Sequence, residues 1–271
     1  MIANARMYAL DGNVAGAWRR LFTWVAARAD VPLVVIDHAA PAPLADLWRR
    51  PDLGSVMMCG YPWATWPEAA TRPLPLAAPI PSPQRFGGRP RYWSDIVVRN
   101  DSRLATEEDL AGARFAFTLE DSQSGYQAPR AFFAPSALAA GGRLFGATIG
   151  PLVTPRRVVE ALLAGAADAG PLDAWWHDLL RRHEPDVATR LRIIARTPPT
   201  AMPLLVTSAG TAPDAQSRLA AALDTVAHAT DLAHVRETLL LSGFARVDPA
   251  DYARLANRAR DIDALGYPLL Q

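Results

Sequence analysis

The feature that most constrains the fold is an alternation of strand-like apolar runs and helix-like segments, which occurs in two series. The first series opens with a short strand over 3–9. Asp11, Gly12 and Asn13 then supply turn and N-cap chemistry for a helix over 14–29, and apolar runs follow from Val31 and Ser55. The second series starts at Tyr92, and its helices and strands continue to about residue 207. Repeats of this kind predict an α/β protein whose sheets are mostly parallel and flanked by helices.

A proline-rich stretch separates the two series. Seven prolines fall within 67–90, and because proline lacks a backbone N–H we expect loop with short edge segments rather than a long helix or an interior strand. From residue 212 onward the sequence predicts two helices, a turn and a last helix beginning near Pro249. Two βα series joined by such a linker predict two lobes.

Composition excludes several classes of function. The chain has 271 residues and a formal net charge of +1, from 28 Arg and 27 acidic residues with no Lys, so no strongly basic surface is available for nucleic acid. No apolar run is long enough to span a membrane. The first residues do not have the pattern of a secretory signal. The single cysteine, Cys59, excludes an intrachain disulfide and a multi-cysteine metal site.

The segment Ser122, Gln123, Ser124 and Gly125 follows a predicted strand and precedes a predicted helix. Ligands of α/β sheets bind outside the carboxyl ends of the strands, and the unpaired amides of a helix start favour anions. The sequence therefore predicts an anion-binding turn here, with ordinary N-capping by serine as the alternative. Asp173 similarly ends a predicted strand, and its alternatives are ligand contact and capping of the following helix.

No constellation for catalysis is found. The five histidines lack metal-binding spacing, no nucleophile elbow or Walker lysine is present, and Cys59 fits a buried position best. We therefore assign no catalytic residue, no metal ligand and no cofactor, and expect a protein that is not an enzyme.

Several segments together resemble the phosphate, phosphite and phosphonate binding proteins of ABC transporters, which have the type 2 periplasmic binding protein fold. The segments, in chain order, are MY at 7–8, PDL at 51–53, CGYP at 59–62, YWSDIVVRNDS at 92–102, DLAGARFAF at 109–117, DSQSGY at 121–126, EALLAGAADAGPLD at 160–173 and GFARVDPADY at 243–252. The resemblance covers nearly the whole chain in the family's order.

The resemblance implies a Venus-flytrap fold with a ligand cleft between a discontinuous first lobe, 1–96 plus 205–271, and a second lobe, 97–204. It implies that Tyr8, Tyr61 and Tyr92 line the cleft, that Ser122, Gln123, Ser124 and Gly125 hold the anionic group, and that Asp173 faces the ligand. Where many relatives have a Ser-His pair, this chain has Thr154 and Pro155, so Thr154 is a candidate and the histidine is absent.

The function implied is capture of a small anionic solute, phosphonate-like, phosphate-like or another oxyanion, as the substrate-binding component of an ABC transporter with a permease partner. The family location is periplasmic, whereas the missing signal leaves a cytoplasmic protein as the alternative. Two other functions stay open: a sensor or regulatory module that contacts a partner protein, and a biosynthetic enzyme on the same fold.

Overall fold

The computed structural model describes residues 1–271 as a mixed α/β protein. Its strands are β1 (Ile2–Asn4), β2 (Val34–Val35), β3 (Leu53–Met58), β4 (Leu74–Pro81), β5 (Arg91–Tyr92), β6 (Ser94–Arg99), β7 (Arg114–Ala116), β8 (Ala147–Ile149), β9 (Ala169–Asp173), β10 (Leu191–Arg196), β11 (Thr200–Ala201), β12 (Leu204–Thr207) and β13 (Leu241–Ala245). Its helices are α1 (Gly12–Ala29), α2 (Leu44–Trp48), α3 (Gly60–Ala64), α4 (Ala128–Ala139), α5 (Pro155–Leu163), α6 (Ala174–His183), α7 (Pro185–Ala188), α8 (Pro213–Thr225), α9 (Ala233–Leu239) and α10 (Pro249–Ala264). A π-helical turn, Gln123–Gln127, precedes α4. None of the helices combines the length and the apolar character that a membrane crossing requires.

The chain forms two compact units. The first unit contains 1–91 and 201–249, and the second contains 92–200 and 250–271. The sequence-based boundaries placed the C-terminal residues in the first lobe, whereas residues 250–271 pack with the second unit.

In the first unit, a six-stranded sheet has the order β13-β4-β12-β3-β1-β2. Strand β1 pairs in parallel with β2 on one side and β3 on the other, and the remaining pairs are antiparallel. Helix α1 begins at Gly12, two residues before the predicted start, and Asp11 is its N-cap, because the Asp11 carboxylate accepts the Val14 amide at 2.7 Å. Its buried face packs near α8 and α9.

Strand β4 contradicts the expectation that the proline-rich stretch has no interior strand. It lies between β13 and β12 and contains Pro75, Pro79 and Pro81. Both of its pairings change register, near Leu205 in β12 and near Leu241 in β13. Bulges leave backbone groups out of the regular ladder, so proline's missing N–H is tolerated there.

Strands β2 and β13 also depart from expectation. The apolar run from Val31 predicts a strand within the sheet, but β2 has only two residues, lies at the edge, and leaves Val34 62% exposed. The predicted turn before the last helix contains strand β13, which pairs with β4. Both differences arise because strand pairing is decided by distant partners rather than by local composition.

In the second unit, a five-stranded sheet has the order β10-β6-β9-β7-β8. Strands β9, β7 and β8 are parallel, whereas β6 runs antiparallel to both β9 and β10. Both sheets are therefore mixed, not mostly parallel. Phe115, Phe133 and Phe145 form the centre of the core, with ring centroids 4.4 to 5.4 Å apart.

The C-terminal segment joins the second unit through α4. Ile262 and Tyr267 pack against the alanine-rich face of α4 at 131, 134 and 137. Arg130, which is 2% exposed, forms an ion pair with Asp263 and donates to backbone carbonyls of the same segment. These contacts explain why 250–271 belongs to this unit.

Candidate ligand-binding site

Three loops meet at the carboxyl edge of the parallel strands in the second unit. They follow β7, β8 and β9, and each leads to a helix start. Strand β7 lies between β8 and β9, so the chain after β7 goes first to one neighbour and later to the other. A reversal of strand order of this kind opens a crevice at the end of the central strand, where α/β proteins bind ligands.

Three of the predicted site residues are N-caps at this edge. The Ser122 hydroxyl accepts the Gly125 amide at 3.0 Å, and the Thr154 hydroxyl accepts the Arg157 amide at 3.3 Å. One carboxylate oxygen of Asp173 accepts the Trp175 and Trp176 amides at 2.9 and 3.0 Å. The capping alternative is therefore realised at both serine and aspartate sites, and the three helix starts direct their positive dipole ends to one edge.

Ser124 supplies the free donors of the turn. Its amide and its hydroxyl have no hydrogen-bond partner within the chain, and the residue is partly exposed. Its carbonyl is fixed, because the Ser94 hydroxyl donates to it at 2.7 Å. Two neutral donors on a backbone held in place can bind an oxyanion with little reorganisation.

Gly125 is required by close packing. A Cβ at this position would lie 1.8 Å from the Thr118 hydroxyl oxygen and 2.9 Å from the Thr118 Cβ. Its backbone φ is not in the left-handed region, so space rather than conformation selects glycine here. Gln123, the remaining residue of the turn, is 3% exposed and lies beneath it.

Asp121 precedes the turn and is exposed to solvent. The chain around it still desolvates its carboxyl group, which raises the pKa of Asp121 above 3.8. The charge of Glu120 adds to the increase, and a backbone hydrogen bond opposes it. The anionic form of Asp121 is therefore less favourable here than in a fully solvated aspartate.

The loop after β8 contains a strained residue. Val153 has φ +69°, and the Thr154 amide donates to the Leu152 carbonyl at 2.8 Å, which closes a γ-turn centred on Val153. The Val153 amide donates to the Thr118 carbonyl at 3.0 Å. The strained loop is therefore fastened to the strand end that also packs on Gly125.

A buried polar network under Asp173 was not foreseen from sequence. Asp95 is fully buried and accepts from Trp93 Nε1 at 3.0 Å, His177 Nδ1 at 2.9 Å and Arg196 Nε at 3.3 Å. Because β6 pairs Ser94 with Asp173, this network joins the start of α6 to the strand that supports Ser124. The chain offered no local signal for it, since Asp95 and His177 are 82 positions apart.

Of the three predicted tyrosines, two lie in the first unit and one lies in the second unit. Tyr8 follows β1 and is 1% exposed, and Tyr61 is a partly exposed residue in the first turn of α3, just after β3. Both therefore lie at the carboxyl edge of the parallel strands of the first sheet, where β1 is the central strand. Tyr92, in β5, is 1% exposed and belongs to the second unit.

The structure contains no group of three or more His, Cys, Asp or Glu side chains arranged to hold a metal ion. Cys59 is buried, as the sequence predicts. Of the five histidines, His177 is a buried partner of Asp95.

The fold is similar to those of several solved structures. The chain is similar to a binding protein component of an ABC phosphonate transporter, PA3383 from Pseudomonas aeruginosa, with a TM-score of 0.79 at 15% identity over 97% of this chain and 85% of that one. It is similar to PhnD1 from Prochlorococcus marinus, solved in complex with methylphosphonate, with a TM-score of 0.77 at 16% identity over 97% of each chain. It is also similar to XAC2383 from Xanthomonas citri, solved with bound ATP, with a TM-score of 0.66 at 18% identity over 98% of this chain and 97% of that one.

Two sheet-containing units with this topology have the type 2 periplasmic binding protein fold, as predicted. No curated protein matches the sequence. Residues 12–252 match the family described as the ABC transporter, phosphonate, periplasmic substrate-binding protein. The chain belongs to this family, which confirms the resemblance inferred from its motifs.

Proposed function

We propose that the protein reversibly captures a small solute that carries an oxyanion, and that the turn Ser122–Gly125 holds the oxyanion. The observation that carries the proposal is the pair of free donors on Ser124, at the switch point of the second sheet. The helix start at Thr154, which is capped by a neutral hydroxyl, adds favourable potential at the same edge.

Recognition would depend on neutral groups. The anion turn has hydroxyls and amides and no basic side chain of its own. Such donors can form short hydrogen bonds to a tetrahedral oxyanion, and hydrogen bonds to charged groups are stronger than those between neutral groups. Gln123 is a further candidate donor from beneath the turn, and Tyr92 is one from β5.

Family membership supports a choice of ligand class. A phosphonate or phosphate-like oxyanion is the first choice, because the family is one of phosphonate-binding proteins and a similar structure holds methylphosphonate. Thr154 takes the position where relatives carry Ser-His, so the contact there would come from a hydroxyl. Tyr8 and Tyr61 are proposed as ligand contacts contributed by the first unit.

The wider role would be that of a periplasmic substrate-binding component that delivers its solute to an ABC permease. Family membership supports this context. In the regulatory alternative the protein would contact a partner without binding an oxyanion.

Calorimetric titration tests the proposal. Methylphosphonate, phosphite and inorganic phosphate are titrated into the wild type, into Ser124→Ala and into Ser136→Ala, an exposed serine of α4 that serves as the matched control. We expect binding of at least one probe, a loss of about 1 to 3 kcal/mol in Ser124→Ala, and no change in the control. Absence of binding to every probe, or wild-type affinity in Ser124→Ala, would refute it.

A further inference from the structure

The guanidinium of Arg130 is surrounded by the end of the chain. Its Nη1 donates to the Tyr267 and Pro268 carbonyls at 3.0 Å each and pairs with Asp263, and its Nη2 donates to the Ala259 carbonyl at 3.2 Å. A buried guanidinium needs such partners, since an unpaired buried charge is strongly unfavourable. Residues 259–268 are therefore bound tightly to α4.

The same guanidinium also orients a residue next to the anion turn. Arg130 Nε and Nη2 donate to Gln127 Oε1 at 3.2 and 2.9 Å. Because the amide oxygen of Gln127 is fixed in this way, its Nε2 points the other way and donates to the Glu120 carbonyl at 2.6 Å. Gln127 thus connects Arg130 to the backbone just before the turn.

A second link runs from the tail to the residue just after the turn. The Tyr126 hydroxyl accepts the Leu270 amide at 3.0 Å, and the Tyr126 ring packs edge-on against Phe117 at 5.2 Å between centroids. The tail therefore reaches both flanks of Ser122–Gly125, through the Glu120 carbonyl on one side and Tyr126 on the other.

The local helix geometry makes these links effective. Gln123–Gln127 is a π-helical turn, a wider and less stable arrangement that persists where other contacts support it. The Ser122 carbonyl accepts both the Tyr126 and the Gln127 amides, at 3.1 and 3.0 Å. A shift of either side chain would hence be passed directly to the backbone of the anion turn.

We propose that the C-terminal segment 259–271 is a positioning element for the anion turn and acts through Gln127 and the Tyr126 hydroxyl. Neither residue is assigned a contact with the ligand. The inference rests on the proposed function, because it concerns the affinity of that same turn.

The chain offers a matched control. Ser102 is a part-buried residue of the same unit, outside the tail and the turn, whose hydroxyl accepts a backbone amide, that of Leu104 at 3.2 Å. Tyr126→Phe and Ser102→Ala each delete one such hydroxyl. Gln127→Ala removes the other link. We compare amide hydrogen exchange over 119–126 without ligand, thermal stability, and calorimetric affinity for methylphosphonate and inorganic phosphate.

We expect Tyr126→Phe and Gln127→Ala to exchange faster over 119–126 and to bind the oxyanion probe about 3- to 10-fold more weakly. Ser102→Ala should lose some thermal stability with its hydrogen bond, while its turn exchange and affinity stay at wild-type values. Unchanged exchange in Tyr126→Phe and Gln127→Ala, unchanged affinity despite faster exchange, or equal effects in Ser102→Ala would overturn the inference. If the wild type binds no probe while exchange still responds as expected, the proposed function fails and the mechanical link stands.

Discussion

Gly125 and Thr118 are in such close contact that a Cβ on Gly125 would lie 1.8 Å from the Thr118 hydroxyl oxygen. Thr118 is 4% exposed, and its carbonyl also accepts the Val153 amide, so it cannot move without disturbing the loop after β8. The Val153–Thr118 hydrogen bond joins the loop after β8 to the loop after β7, and the close approach of Gly125 to Thr118 ties the turn to the same point.

Gly125→Ala should therefore destabilise the protein by about 1 to 3 kcal/mol through overpacking and weaken oxyanion binding. Urea denaturation and calorimetry measure the two effects. Gly16 lies within α1, and a Cβ there would be 3.6 Å from its nearest contact, an Arg20 nitrogen. Gly16→Ala should therefore increase the free energy of unfolding by about 0.5 to 1 kcal/mol. The double variant Thr118→Ala with Gly125→Ala should recover part of the loss, and a Gly125→Ala protein as stable as the wild type would contradict the packing argument.

At position 153 the glycine variant should be more stable than the alanine variant, which reverses the usual order. At φ +69° a side chain costs energy that glycine avoids, so Val153→Gly is expected to be more stable than Val153→Ala by about 1 kcal/mol. At Ala161, within α5, the change to Gly should cost about 1 kcal/mol. Chemical denaturation measures the free energy of unfolding of the three variants. A higher free energy of unfolding for Val153→Ala than for Val153→Gly would exclude backbone strain at Val153.

Asp173 should be tested first as a cap. Its carboxylate accepts two amides of α6, so Asp173→Ala is expected to lose about 0.5 to 2 kcal/mol. Asp173→Asn, which keeps an oxygen acceptor, should stay close to the wild type. Equal losses in the two variants, measured by denaturation, would show that the negative charge and not the cap stabilises this helix start.

Asp121 predicts a pH-dependent stability. Because its pKa is raised in the folded protein, the folded state binds the proton more tightly than the unfolded chain, and stability falls as pH rises above 3.8 until the raised pKa is passed. Asp121→Asn should therefore increase the melting temperature at pH 7 and leave it unchanged at pH 3. Solvent at this exposed residue keeps the effect small.

Glu107→Gln, at an exposed position of the same unit, provides the control for Asp121. Its melting temperature should match that of the wild type at both pH values. A Tm of Asp121→Asn below the wild type at pH 7 would disprove the assignment.

Local signals predicted much of the fold. The apolar runs now seen as β3, β6 and β9 and the cap at Asp11 depend on neighbouring residues, and all of them form as expected. The strands β4 and β13 depend on each other across more than 150 residues, and prolines hide the first of them. No local rule could find them.

The candidate site likewise has features that local sequence predicts and features that depend on distant residues. Hydroxyls and a glycine between strand and helix pointed to Ser122–Gly125, because such turn chemistry is local. The residues that fix the turn were missed. Ser94 acts on Ser124 across 30 positions, and Arg130 acts on Asp263 across 133, so their partners become visible only when the chain is folded.

The three crossings between the units, after residues 91, 200 and 249, limit how the protein can be divided for engineering. An excised fragment 92–200 would retain the anion turn yet strip Arg130 of Asp263 and of its tail carbonyls. A fragment that is to keep the turn Ser122–Gly125 supported therefore needs residues 250–271 supplied as a fused or complementing peptide.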